Sequence, residues 1–146
     1  MRIRVLAIAA ALALGGCAPT HVLRDFTTDG CSLFPDGDAD GPVCRAECCR
    51  QHDMAYWRGG TAVERRSADQ AFRECVAQAG EPTLAGLMYR AVRLGGMPLA
   101  PNWFRWGYGW GYGRGYEPLT PAERQLAEDK LAAHHRANPR SACDSN

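Results

Sequence analysis

Two adjacent cysteines, Cys48-Cys49, constrain this chain more than any other feature. Neighbouring residues on a helix point about 100° apart, so such a pair can staple one helix in two directions at once. Five more cysteines accompany them: Cys17, Cys31, Cys44, Cys75 and Cys143. With Cys17 set aside the remainder is even. In a small exported domain that reads as a disulfide framework, whose connectivity the sequence leaves open. A rival reading joins Cys48, Cys49 and His52 in a zinc site. Zinc needs thiolates, which an oxidising compartment works against.

The first residues point to export. Arg2 and Arg4 precede an apolar run over residues 5–14, too short to span a bilayer. The run ends in Leu14-Gly15-Gly16-Cys17, which resembles a bacterial lipobox. The resemblance implies a cleaved signal over residues 1–16, lipidation at Cys17 and a tether over residues 17–26. Ala18, in place of a retaining aspartate, implies the outer membrane facing the periplasm. Losing Arg2 and Arg4 with the signal takes the formal charge from +1 to −1. That near-neutral balance and the lack of a polybasic tail argue against a nucleic-acid partner.

Residues 27–42 are rich in Asp, Gly and Pro, a loop with many oxygen ligands to offer. A first helix is expected over residues 44–58, stopped by Gly59-Gly60. A second is opened by the capping box Thr61/Glu64 and runs to about residue 78. A third follows Pro82, with Leu84, Leu87, Met88 and Ala91 as its apolar stripe, and ends at Gly95-Gly96. Residues 103–116 alternate Gly with Trp and Tyr. This segment either caps the core or meets a lipid–water interface, with Trp103, Phe104 and Trp110 expected exposed. Thr120-Pro121-Ala122-Glu123 opens a last, charge-rich helix ending near residue 137, on which His134-His135 reads as a solvated face. The fold class is mainly α and disulfide-stapled, with a domain over residues 27–116 and a C-terminal helix and tail over residues 117–146.

On the first helix Cys49, His52 and Tyr56 share one stripe. Only Gly59-Gly60 separates it from the second helix, so the two should run antiparallel. At about 1.5 Å per residue the heights of His52 and Asp69 then differ by about 3 Å, and those of Cys48 and Cys75 by about 6 Å. One register brings both pairs within reach.

Cys-Cys-x-x-His-Asp-x-x-Tyr at residues 48–56, with Asp69 and Cys75, resembles the catalytic core of secreted phospholipases A2. The loop Asp29-Gly30-Cys31-Ser32-Leu33-Phe34-Pro35-Asp36 is most similar to the bacterial and fungal branch. The match covers residues 28–75. It implies calcium-dependent hydrolysis of the sn-2 ester of glycerophospholipids, with His52 as general base and Asp69 orienting it. It further implies Ca²⁺ held by Asp29, Asp53 and the Gly30 carbonyl, and Tyr56 bonded to Asp69 or packed beside it. Disulfides Cys31–Cys49 and Cys48–Cys75 follow, leaving Cys44 and Cys143 to pair. A phospholipid membrane is the implied partner and the chain is expected to act as a monomer; a protein partner is not legible. The glycine-rich calcium loop of the animal enzymes is missing, and Ala55 stands where they carry a cysteine. Asp36, Asp38 and Asp40 either add calcium affinity or, as expected, keep a turn solvated. The alternative function is an inactive envelope lipoprotein that binds phospholipid or a protein on the same scaffold.

Overall fold

The computed structural model describes residues 22–37 and 44–139. Cys17, Asp38, Asp40 and Cys143, with the signal, most of the tether and the Cys44–Cys143 pairing, lie outside the described residues. The described chain is mainly helical: α1 (Ala46–Arg58), α2 (Ala62–Gln78), α3 (Pro82–Gly95) and α4 (Pro121–Ala137). None of these helices is long and apolar enough to cross a membrane.

Local chemistry sets the helix ends. Thr61 and Thr120 each accept a hydrogen bond from the backbone of the glutamate three residues on, and that glutamate reaches back to the cap. α1 starts two residues later than expected because residue 44 forms an isolated antiparallel bridge with Gly37. No side chain caps α1. The backbone amides of Arg45 and Ala46 instead donate to the Asp36 carbonyl at 2.7 and 2.9 Å.

α1 lies between two apolar clusters. One face meets α2 and α3 in a core of Cys48, Cys49, Phe72, Val76, Ala85 and Met88. The other carries Trp57 into a core with Leu23, Phe26, Trp110, Leu119 and Ala127. The second cluster corrects three expectations. Leu23 and Phe26, assigned to the tether, are buried. Trp110, expected at the surface, is fully buried, while Trp103 is exposed and Phe104 half-buried. His134 is not a plainly solvated histidine, since its ring meets Phe26 edge-on at 4.8 Å.

The Gly/aromatic segment closes the C-terminus of α1. A helix leaves its last carbonyls without internal partners. Here Gly107 N–H donates to the Tyr56 carbonyl, Gly109 N–H to Trp57, and the Trp110 and Trp106 indoles to Arg58 and Gly60. Such close approach needs glycine: a Cβ on Gly109 would sit 2.6 Å from the Trp57 carbonyl oxygen.

On α3 the buried face is Ala85 and Met88 flanked by Leu84 and Val92; Ala91 borders a cavity beside Val92, whereas Leu87 faces outward. Of the expected stripe only Leu87 is therefore off the inward side. Apolar residues surround much of this helix, so periodicity alone does not choose which side faces the core.

Candidate functional site

α1 and α2 run antiparallel. Cys48–Cys75, His52–Asp69 and Tyr56–Arg65 are separated by 27, 17 and 9 residues, shrinking toward the turn between the helices. The disulfides Cys48–Cys75 and Cys31–Cys49 are both formed, with Cα–Cα distances of 5.7 and 5.0 Å. One staples α1 to α2 and the other ties the upstream loop to the next residue of α1. Zinc binding by Cys48 and Cys49 is thereby ruled out in this disulfide-bonded state, since neither sulfur is a thiolate.

His52 lies one helical turn beyond this double staple. Its Nε2 is 2.8 Å from Asp69 Oδ1, and its ring packs against Tyr56 and Phe72 at centroid distances of 4.2 and 4.5 Å. Asp69 is fully buried. Burial pushes its carboxyl upward, but hydrogen bonds from His52, Arg93 and Tyr56 outweigh that and hold it below the usual carboxylate range. An ionised carboxylate only accepts, so the facing Nε2 donates, and in the neutral imidazole Nδ1 carries the lone pair. His52 lines a cavity of about 150 Å³ with Phe34, Phe72, Met88 and Val92.

Two cations that sequence reasoning missed complete the support of Asp69. Arg93 donates from Nη1 to Oδ2 at 2.6 Å. Arg65 lies 3.9 Å from the same oxygen and donates to the Tyr56 hydroxyl at 3.1 Å. The other end of the Arg65 guanidinium donates to the Val92 and Arg93 carbonyls, tying α2 to the C-terminus of α3. Tyr56, left between a bond to Asp69 and simple packing, donates to Asp69 Oδ1 at 2.8 Å; burial raises its pKa and keeps the proton in place. Gly96 makes room for that ring, since a Cβ there would lie 2.4 Å from Tyr56 Cε1. Arg65 was legible as an i,i+4 partner of Asp69. Arg93 was not, because it arrives from another helix.

Across the cavity stands a less complete wall. Asp53 also lines this space, beside Gly30. Its Oδ2 accepts from the Thr28 hydroxyl at 2.5 Å, and Asp29 Oδ1 accepts from the Ser32 hydroxyl at 2.9 Å. Burial raises the Asp53 carboxyl to about 7; the Thr28 bond opposes this and the charge of Asp29 adds to it. A carboxylate pair with hydroxyl partners and no cation is the donor chemistry a divalent ion satisfies. Asp29, Asp53 and the Gly30 carbonyl therefore fit calcium in kind. Among the described residues no group of three or more His, Cys, Asp or Glu side chains gathers as a metal site. Calcium here would rest on two carboxylates, a carbonyl and water.

Asp36 is exposed, as expected of a solvated turn, and also holds that turn together. Its Oδ1 accepts from the Cys31 amide at 2.8 Å and closes the loop behind Gly30. Gly30 has φ +73°, and a Cβ on it would lie 2.5 Å from that oxygen, so conformation and space both require glycine.

No family model, no curated protein and no solved structure matches this chain.

Proposed function

We propose that this protein is a calcium-dependent lipase of the phospholipase A2 type, hydrolysing the sn-2 ester of glycerophospholipids. The observation that carries the reading is the His52–Asp69 pair, 2.8 Å apart, with His52 on an apolar cavity that Asp53 also lines. An oriented base, a hydrophobic slot and a carboxylate wall within one small space suit ester hydrolysis at a lipid surface.

Asp69 fixes the tautomer, so His52 Nδ1 takes the proton of the attacking water. As the tetrahedral intermediate collapses, the ester C–O bond breaks and His52 returns that proton to the departing glycerol oxygen. A fatty acid and a lysophospholipid leave. Calcium held by Asp29, Asp53 and Gly30 would polarise the ester carbonyl and stabilise the developing oxyanion. Phe34, Phe72 and Met88 exclude water from the acyl side. Exposed Leu33 and Trp103, each at the edge of a cavity, present apolar surface suited to a lipid interface. A lipid anchor on Cys17 would keep the enzyme at such a surface. Because Leu23 already belongs to the core, the tether would be shorter than residues 17–26.

The test is fatty-acid release from phospholipid vesicles. Release that needs calcium and stops on chelation is expected. Binding to vesicles without release would favour the inactive-scaffold alternative.

A further inference from the structure

Three helices meet at Asp69, and its two oxygens are held from different ones. Asp69 itself belongs to α2. Its Oδ1 accepts from His52 Nε2 and the Tyr56 hydroxyl, both on α1 and both at 2.8 Å. Its Oδ2 accepts from Arg93 Nη1 at 2.6 Å, and Arg93 stands in the last turn of α3. Among the described residues no other donor bonds to Oδ2. Arg65 is the nearest rival, at 3.9 Å, beyond hydrogen-bond reach. Its donors are placed on the Tyr56 and Tyr116 hydroxyls and on the Val92 and Arg93 carbonyls.

This division matters because the last torsion of an aspartate is soft. Its wells are broad and roughly two-fold, so a carboxylate held by one oxygen can still swing. Bonds on both oxygens, from opposite sides, lock its plane. Without Arg93 the nearest cation is Arg65, and the carboxylate would turn toward it and off His52.

The same helix walls the apolar slot. Met88, Ala91 and Val92 of α3 line the cavity of the dyad, and Arg93 is the next residue. If this turn of α3 leans away from α2, Arg93 leaves Asp69 with it.

We infer that Arg93 is a positioning residue, a latch that locks the Asp69 carboxylate onto His52 only while the α3 wall of the slot is seated. It acts through Asp69, and its effect on turnover rests on the hydrolytic reading above. One N–H makes the bond, so the role needs a cation at that place and not the guanidinium fork. The Arg93 side chain is 30% exposed, so it can be replaced without opening the core.

The test pairs nitrogen spectra of the His52 ring with hydrolysis of a short-chain phosphatidylcholine. At a pH of about 9 an ordinary histidine is neutral, and the ring nitrogens report which one carries the proton. Wild-type protein should show the Nε2–H form. Arg93→Gln should mix it with the Nδ1–H form and lower kcat by about tenfold to 10²-fold, with KM nearly unchanged, the scale of a small misplacement. Arg93→Lys should restore both readings. Arg90→Gln, an exposed arginine on the same helix, should change neither. Should Arg93→Gln fail to fold, the wild-type guanidinium supplies a second reading: its Nη protons should exchange more slowly than those of Arg90, and equal exchange would overturn the latch. Loss of the Nε2–H form in Arg93→Gln, with no hydrolysis even by wild type, would support the latch and remove the hydrolytic reading. An unchanged tautomer and kcat in a folded Arg93→Gln protein would overturn the latch and keep the hydrolase. A lower melting temperature with the tautomer intact would make Arg93 a merely structural tie, and that too would overturn the proposal.

Discussion

The two sides of the small cavity are built to different degrees of completion. Asp69 on one side is buried among His52, Tyr56, Arg65 and Arg93, and its charge is met from several directions. Asp53 on the other has one hydroxyl donor and a neighbouring carboxylate that repels it. The same residue type is thus held ionised at one wall and pushed toward its neutral form at the other. The difference teaches that His52 is oriented by the chain itself, whereas on the proposed reading the carboxylate wall would be completed by a cation. It also predicts that neutralising the two aspartates will move stability in opposite directions.

The largest effect should follow from Asp69→Asn. Loss of the charge strands Arg65 and Arg93 beside a neutral amide and removes the acceptor that sets the His52 tautomer. Breaking such a buried pair costs about 3–5 kcal/mol, and removing the orienting carboxylate of a comparable triad costs about 10⁴-fold in turnover. Denaturant unfolding and vesicle hydrolysis, measured together, check both figures. A stable, active Asp69→Asn protein would erase the contrast between the walls.

Asp53→Asn should act with the opposite sign. Calcium affinity is expected to fall by about 10²-fold or more, since ligand charge sets affinity at such sites. Yet the calcium-free protein should gain about 1 kcal/mol, because the burial cost of Asp53 and its repulsion by Asp29 disappear together. Melting curves with and without calcium would show this. Asp36→Asn, which weakens the bond to the Cys31 amide, should lower calcium affinity far less. If Asp36→Asn has the larger effect, the carboxylate wall has been placed on the wrong residues.

A smaller effect lies away from both walls. Arg114 holds Glu123 with two bonds of 2.7 and 2.9 Å and lies 4.4 Å over the Trp110 ring. The pairing with Arg114 lowers the Glu123 carboxyl to about 2. A depressed acid stabilises the fold above its unfolded pKa, near 4.5, and that stability is lost as pH falls toward 2. For a partly exposed pair the loss should be at most about 1 kcal/mol. Trp110 fluorescence should change over that window in wild-type protein and not in Glu123→Gln. A change confined to the His52 surroundings would show that the α4 attachment does not titrate as described.

The strength of the local signals explains what the sequence could reveal. Capping boxes at Thr61 and Thr120 act within one turn, so α2 and α4 were bounded to within a residue. The His52–Asp69 register needed only a short turn and a constant rise, so it was readable across two helices. Arg93 could not be assigned this way, since its place depends on how α3 leans on α2. Trp110 and Leu23 were misjudged for a related reason: glycines let residues 106–110 fold back onto the end of α1, and that contact is long-range. Leu87 was misplaced because α3 is apolar on more than one side.

The central claim is that His52, aimed by Asp69, activates water for ester hydrolysis. Vesicle hydrolysis by wild-type and His52→Gln proteins, beside circular dichroism and calcium binding, tests it most directly. Positioned acid–base catalysis contributes about 10²–10⁴-fold, so turnover should fall by at least about 10²-fold while helix content and calcium affinity stay unchanged. Near-normal fatty-acid release from a folded, calcium-binding His52→Gln protein would contradict the account.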